Sequence, residues 1–347
     1  MSITLLAKNC MNQLNTAFTL FLSLLVEAMP FLLLGVLFSG LLLLFVDERK
    51  LIAKLPKHPL LGALIGSMVG FLFPVCECGN VPVARRLLMQ GVPSPVAIGF
   101  LLAAPTINPI VIWATWTAFR DQPEIVVLRV VFSLAIATII GWVFSVQVDL
   151  QPLLQPAVAA AWKSNVKPPE SQEFKSDLLQ SGTFWLAESG TVRMDTTVLQ
   201  ATLAATNASK PLPYRLRLLL DNTVQELREL GSVLVVGSAI AAAIQVLVPR
   251  EVILNLGGGE ITSILTMMLL AGLVSICSTV DSFFALSFAS TFTSGSLLAF
   301  LVFGPMIDLK GIGLLLSIFK PRAVIYLFAL AAQLTFLFTL FINLHVI

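Results

Sequence analysis

Residues 73–86, FPVCECGNVPVARR, place two cysteines, a glutamate, an asparagine and two arginines directly after a run of Gly, Leu, Val and Phe. Cys76 and Cys78, with Cys277 in the later stretch CSTVD, could together hold a soft, thiophilic species, because sulfur ligands select soft metals and metalloids. Cysteine is equally a small, weakly polar residue suited to tight packing, and spacing alone leaves both readings open. Cys10 stands apart from this group. The C-x-C spacing is not the C-x-x-C of a zinc knuckle or a thioredoxin-like site, and four cysteines are too few for a disulfide framework. Neither a resident metal nor a cofactor is expected.

A second group consists of carboxylates and amides set in apolar sequence. An ionisable residue at the bilayer centre costs at least about 2.5–3.5 kcal/mol, so each is a functional candidate by default. Asp281 and Asp308 lead, and their bland alternative is a helix cap or an interfacial loop residue. Asn80, Thr106, Asn108 and Thr279 complete the candidate substrate-binding set with Cys76, Cys78 and Cys277. Glu27, Glu77 and Glu229 are the candidates for carrying a coupling proton, since a buried carboxyl can hold one. Glu229, close to Glu226 and Arg228, reads equally as an interfacial residue. Glu77 with Arg85 and Arg86 could form a buried ion pair or a basic entrance for an anion. The arginines could instead snorkel to lipid headgroups.

The elements that must position these residues are membrane helices. The chain is 57% hydrophobic and only 12% charged over 347 residues, against about 25% charged in soluble domains. Runs near twenty apolar residues recur at 16–46, 59–75, 93–116 and 124–146, then at 218–248, 261–277, 282–304 and 323–345, and read as transmembrane helices. In the segment 59–75, Gly62, Gly66 and Gly70 recur every four residues, which lets helices approach closely in lipid. The two prolines of PTINP, residues 105–109, must break any helix. Irregular backbone at membrane depth is tolerated only where protein buries it or water lines it. The start MSITLLAKNC lacks the pattern of a secretory signal, so insertion through the first helix is expected. The net charge of +2 comes from basic residues in short loops and gives no reason to expect nucleic acid.

An internal duplication is visible. EAMPFLLLG (27–35) matches ELGSVLVVG (229–237) at an offset of 202, CECGN (76–80) matches CSTVD (277–281) at 201, and APTINP (104–109) matches GPMIDL (304–309) at 200. The matched positions are Glu27 with Glu229, Cys76 with Cys277, Asn80 with Asp281 and Asn108 with Asp308. The expected organisation is a first repeat at 1–146, a polar cytoplasmic linker at 147–213 carrying no chemistry, and a second repeat at 214–347. Duplication with broken helices at matched positions is a mark of secondary transporters, whose sites lie near the midplane between repeats. The loop 47–58 is basic, as is LKGIGLLLSIFKPR (309–322), while their counterparts are not. A bias that changes sides between the halves favours inverted repeats with five crossings each, counting 76–92 as one short or re-entrant helix. The Ser/Thr-rich stretch 287–296 either bonds back to its own helix or lines a polar path.

No Walker lysine loop, HExxH or G-x-S-x-G occurs, and the two histidines, His58 and His345, stand in a loop and at the C-terminus. An enzyme is therefore not expected. The stretch from Phe73 to Ile112, with its CECG and APTINP segments, resembles the signature region of a predicted permease family, also called YraQ-like or UPF0718, that includes organoarsenical efflux permeases. The resemblance extends over both apolar halves. It implies a multi-pass permease of the inner (plasma) membrane, and for some members export of trivalent organoarsenicals, which would suit the thiol reading of Cys76, Cys78 and Cys277. The expected fold is thus an all-α integral membrane protein of two repeats with broken helices near the midplane. The expected function is secondary-active export of a small molecule or metalloid, with the lipid bilayer and a second copy of the chain as partners. A channel-like pore and a non-transporting scaffold are the alternatives.

Overall fold

The computed structural model describes residues 2–45, 55–73 except 57, 76–146, 152–159 except 157, 184–187, 190–193, 212–247 and 259–345. Its helices are α1 (Ser2–Phe45), α2 (Pro59–Val69), α3 (Glu77–Met89), α4 (Ser94–Ile107), α5 (Pro109–Ala118) and α6 (Pro123–Ser145) in the first half. The second half holds α7 (Leu212–Leu247), α8 (Glu260–Val274), α9 (Asp281–Leu286), α10 (Ser294–Met306), α11 (Leu309–Leu315) and α12 (Pro321–His345). Between the halves, within the stretch read as a linker, lies a small antiparallel hairpin, β1 (Phe184–Ala187) with β2 (Gly190–Arg193).

Among the described residues, six segments are long and apolar enough to cross a membrane: Met11–Leu42, Ser94–Ala118, Pro123–Ser145, Leu219–Val246, Ser294–Leu315 and Pro321–His345. Two of them, Ser94–Ala118 and Ser294–Leu315, contain a break, at Asn108 and at Asp308. Each break follows a helix that carries a proline near its end, Pro105 or Pro305. The expected single span at 282–304 is divided instead, because α9 stops at Leu286 and turns intervene before α10. Along those turns Ser287 and Ser296 donate to backbone carbonyls of Phe284 and Thr293, and the Thr293 hydroxyl accepts from the Ser296 N–H. That stretch bonds back to its own chain.

The outer surface is apolar, with Val26, Leu33, Trp113, Trp116, Val131, Ile325 and Phe341 exposed, as lipid contact requires. Inside, α2, α4 and α6 pack on one another, and α8, α10 and α12 do the same. The glycine spacing of α2 explains the first trio. Gly66 lies against the Val96 backbone, and a Cβ at Gly70 would sit 2.6 Å from the Ala104 Cα. Only a missing side chain permits such an approach.

α1 and α7 run antiparallel: Leu24 meets Ala241 and Ala242, while Gly40 meets Leu219 and Thr223. α3 lies on α1 where Gly35 faces the Gly79 backbone, and α11 lies on α7 where Gly237 faces Lys310. α3 also touches α11, and α5 touches α9. Most of 147–213 lies outside the described residues. Its start is pinned to the second half, because the Gln155 N–H donates to Ile318 O at 2.9 Å and the Lys320 N–H to Leu153 O at 2.8 Å.

Candidate functional site: a thiol, carboxylate and lysine cluster

The chain leaves the 3₁₀ turn Gly70–Leu72 in extended form, and Cys76, itself extended, becomes the N-cap of α3. CECGN is therefore the first turn of a buried helix rather than an unwound segment. Its mate differs: residues 275–280 are irregular, Ser275 is left-handed with φ 49°, and α9 begins at Asp281. Both pieces converge, since the buried Cys76 and Cys277 thiols lie within interaction reach of each other. Cys78 joins Cys76, and the side-chain ligand atoms of Cys76, Glu77 and Cys78 all lie within 4.8 Å of one another. The Thr279 hydroxyl donates to the Cys277 sulfur at 3.6 Å.

Against these thiols stands Lys310 from α11. Its Nζ is 3.7 Å from Glu77 Oε1 and 4.0 Å from Asp308 Oδ2, and its side chain is only 1% exposed. Neither oxygen of Glu77 has a hydrogen-bond partner among the described residues. The cluster holds two carboxylates and one ammonium. Electroneutrality in an apolar surround favours one further positive charge, a proton or a bound cation.

Lys310 was counted above as one of three cations of a basic loop at 309–322, and the structure corrects this. It is buried at the cluster, which weakens the charge argument for inverted repeats. Arg85 and Arg86 are also buried, 6% and 2% exposed, rather than snorkelling. They lie within electrostatic reach of Glu226, a buried acid not among the sequence candidates. Arg85 Nη1 reaches Glu229 Oε2 at 3.3 Å, leaving that glutamate 40% exposed and outside the cluster. Glu27 is half-buried on the outer face of α1, lining a crevice with Thr19, Ser23 and Val280.

Asp281 is committed elsewhere. Arg129 of α6, invisible within an apolar run, donates to Asp281 Oδ2 at 2.6 Å and Oδ1 at 3.1 Å, and also to Thr115 and Ser282 hydroxyls at 2.8 and 2.9 Å. Asn108 and Asp308 act as helix caps. The Asn108 side chain accepts from Val111 N at 2.9 Å, and Asp308 Oδ1 from Gly311 N at 2.6 Å. Asp308 alone keeps a second oxygen facing Lys310. Thr106 bonds back to Ala103 O at 2.8 Å. Asn80 is fully buried with neither amide atom hydrogen-bonded. Of the residues singled out in the sequence, the structure thus gathers Cys76, Glu77, Cys78, Cys277, Thr279 and Asp308. Lys310, Arg129 and Glu226 were missed. The only local signal for Lys310 is its place two residues after Asp308, just past a helix break.

The model of a family described as predicted permeases, ArsP_1, matches residues 13–344. The chain belongs to that family. UPF0718 protein YcgR of Bacillus subtilis (strain 168) is 37% identical over 321 residues, 92% of this chain and 94% of the relative. A protein of Streptococcus mutans serotype c (strain ATCC 700610 / UA159), whose name describes it as a two-component membrane permease complex subunit, is 32% identical over 306 residues, 88% of each chain. No solved structure matches. The protein is a multi-pass membrane permease, and its buried polar groups belong to a chain whose remaining interior is apolar.

Proposed function

We propose that the chain is a secondary-active permease of the inner membrane whose substrate binds where Cys76, Cys78 and Cys277 meet Glu77, Asp308 and Lys310. One observation carries this reading: buried thiols from the two halves of the chain approach each other beside an under-partnered ion cluster. The same geometry supports a thiophilic substrate, and a trivalent organoarsenical is the one the family resemblance suggests. Glu77 is the coupling residue, because it has no hydrogen bond to satisfy it and sits next to the thiols. Asn108, Thr106 and Asp281 are scaffold rather than ligands. Transport, not enzymatic turnover, is the activity assigned.

Two related halves are part of the proposal. Asn108 and Asp308 cap their helices through the same bond to the third residue onward, after prolines at matching positions. If α3 corresponds to α9 and α5 to α11, the contact of α3 on α11 exchanges with that of α9 on α5. The likeness to a protein named as a complex subunit supports a second subunit, or a second copy, at the membrane.

The test is uptake of methylarsenite into everted membrane vesicles, comparing wild type with Cys76→Ser/Cys277→Ser at matched expression. Energy-dependent accumulation by the wild type, lost in the double variant, is expected. Entry that equilibrates without accumulation and is unaffected by dissipating the ion gradients would mean a pore, and no entry into wild-type vesicles above those lacking the protein would remove organoarsenicals as substrate.

A further inference from the structure

We propose that a hydrated access chamber runs along α3 from the Glu77 cluster to the membrane face at which α1 ends and α7 begins, admitting water and, through it, protons from that side only. The proposal rests on the permease reading for its purpose, but not for its existence. α7 gives the ruler. Gly237 lies at Lys310, Val233 at Gly313, Glu229 at Arg85, and Glu226 at Ser39, whose hydroxyl donates to Glu226 Oε2 at 3.4 Å. Asn222 is one turn beyond Glu226 on the same face, close to the start of the span at Leu219. At about 1.5 Å per residue, Gly237 to Asn222 covers roughly 22 Å. α3 covers a similar length, from Glu77 to Gln90 just past its end, and Gln90 follows Arg86 by one turn on the face toward Glu226.

This strip carries buried polar atoms that no group among the described residues satisfies. Both amide atoms of Asn80, Gln90 and Asn222 lack hydrogen-bond partners among the described residues, as does the Thr223 hydroxyl. These four residues are 0, 3, 1 and 5% exposed. Stranded donors and acceptors are rare in folded proteins, and where several occur together ordered water is the usual partner. The strip also carries Arg85 and Arg86 against Glu226 and Glu229, so its charges balance. Such a chamber concentrates neither anions nor cations. It suits water and proton movement better than storage of an ion.

The strip ends at the cluster. Beyond Lys310, α7 presents Ala241 and Ala242 to Leu24, with Leu20 and Phe21 around them, and this contact is dry. Between α1 and α7, water entering at Asn222 would reach Glu77 and meet no polar group beyond it, and the one-sided access proposed here rests on that apolar seal.

The experiment labels full-length single-substitution variants Asn222→Cys, Thr223→Cys and Gln90→Cys in membrane vesicles of both orientations with the charged reagent MTSES. The adduct at each position is read by peptide mass spectrometry, so the native thiols do not interfere. Ala242→Cys is the dry control. Thr223→Cys is nearly isosteric and keeps the test alive should an amide variant fail to fold. Modification at least an order of magnitude faster than at position 242, from one orientation only, is expected. Rates equal to the control, or equal from both sides, would overturn the chamber. Labelling needs no transport: labelled variants without any methylarsenite uptake would leave the chamber standing and remove the proposed substrate, whereas uptake without labelling would do the reverse.

Discussion

Arg129 grips Asp281 with two hydrogen bonds at 2.6 and 3.1 Å, whereas Lys310 stands 3.7 Å from Glu77 and 4.0 Å from Asp308. Both are buried ion pairs inside an apolar protein, and both join the two halves of the chain. They differ in how completely their polar atoms are used. Thr115 and Ser282 also accept from Arg129 Nη1, and Ser282 donates to Asp281 at 3.1 Å, which leaves Arg129 Nε as the one atom of the pair without a hydrogen bond among the described residues. In the other cluster both Glu77 oxygens and one Asp308 oxygen are without hydrogen bonds. A nearly closed network of charge-assisted bonds rigidifies and fixes a unique packing. A loose one is costly to keep unless something else visits it. The first pair reads as a lock between α6 and α9, the second as a site.

Arg129→Leu tests the lock and carries the largest expected effect. It leaves Asp281 charged and buried without its partner, a change that costs about 3–5 kcal/mol in such settings. Thermal unfolding in detergent, followed by helical circular dichroism, should show a marked loss of stability or no folded protein. Adding Asp281→Leu removes the stranded charge, and the double variant should recover much of the loss. A double variant as unstable as the single one would mean that the pair does more than satisfy itself.

Glu77→Gln tests the site. The substitution keeps the shape and removes one negative charge from a cluster that has one carboxylate too many, so folding should be little affected. Energy-dependent uptake should fall to background. The informative pattern is the contrast: Arg129→Leu loses the protein, while Glu77→Gln loses the transport and keeps the protein. If Glu77→Gln unfolds the chain as severely as Arg129→Leu, the two clusters are alike and the distinction fails.

Features that depend on a few neighbouring residues were legible in the sequence. The breaks at Asn108 and Asp308 follow from prolines and capping side chains, all local, and the close packing of α2 follows from its glycine spacing. The meeting of Cys76 with Cys277 was legible only through the internal matches, because no local property links positions 201 apart. Partner choice was not legible. Arg129 is one cation within 23 residues of otherwise apolar helix, and its function depends on α9 lying beside α5. Lys310 looked like a loop cation because charge bias assumes that basic residues sit outside the membrane. The segment CECGN stood among the helix breaks matched across the duplication, yet it opens the buried α3, within which Pro82 is tolerated.

Glu229 provides the smallest and sharpest comparison, since the duplication matches it to Glu27 and made both candidates for coupling. The structure leaves it 40% exposed, with Arg85 at 3.3 Å. A pair so open to its surroundings is worth about 0–1 kcal/mol, and Arg85 keeps Glu226 nearby if Glu229 is neutralised. Glu229→Gln should therefore shift the unfolding temperature only slightly and leave uptake near the wild-type rate, in direct contrast to Glu77→Gln. Matched uptake curves for the two variants decide the point. Loss of transport in Glu229→Gln with intact folding would move the coupling step from the thiol cluster to the α3–α7 strip, where the acids Glu226 and Glu229 face the arginine pair.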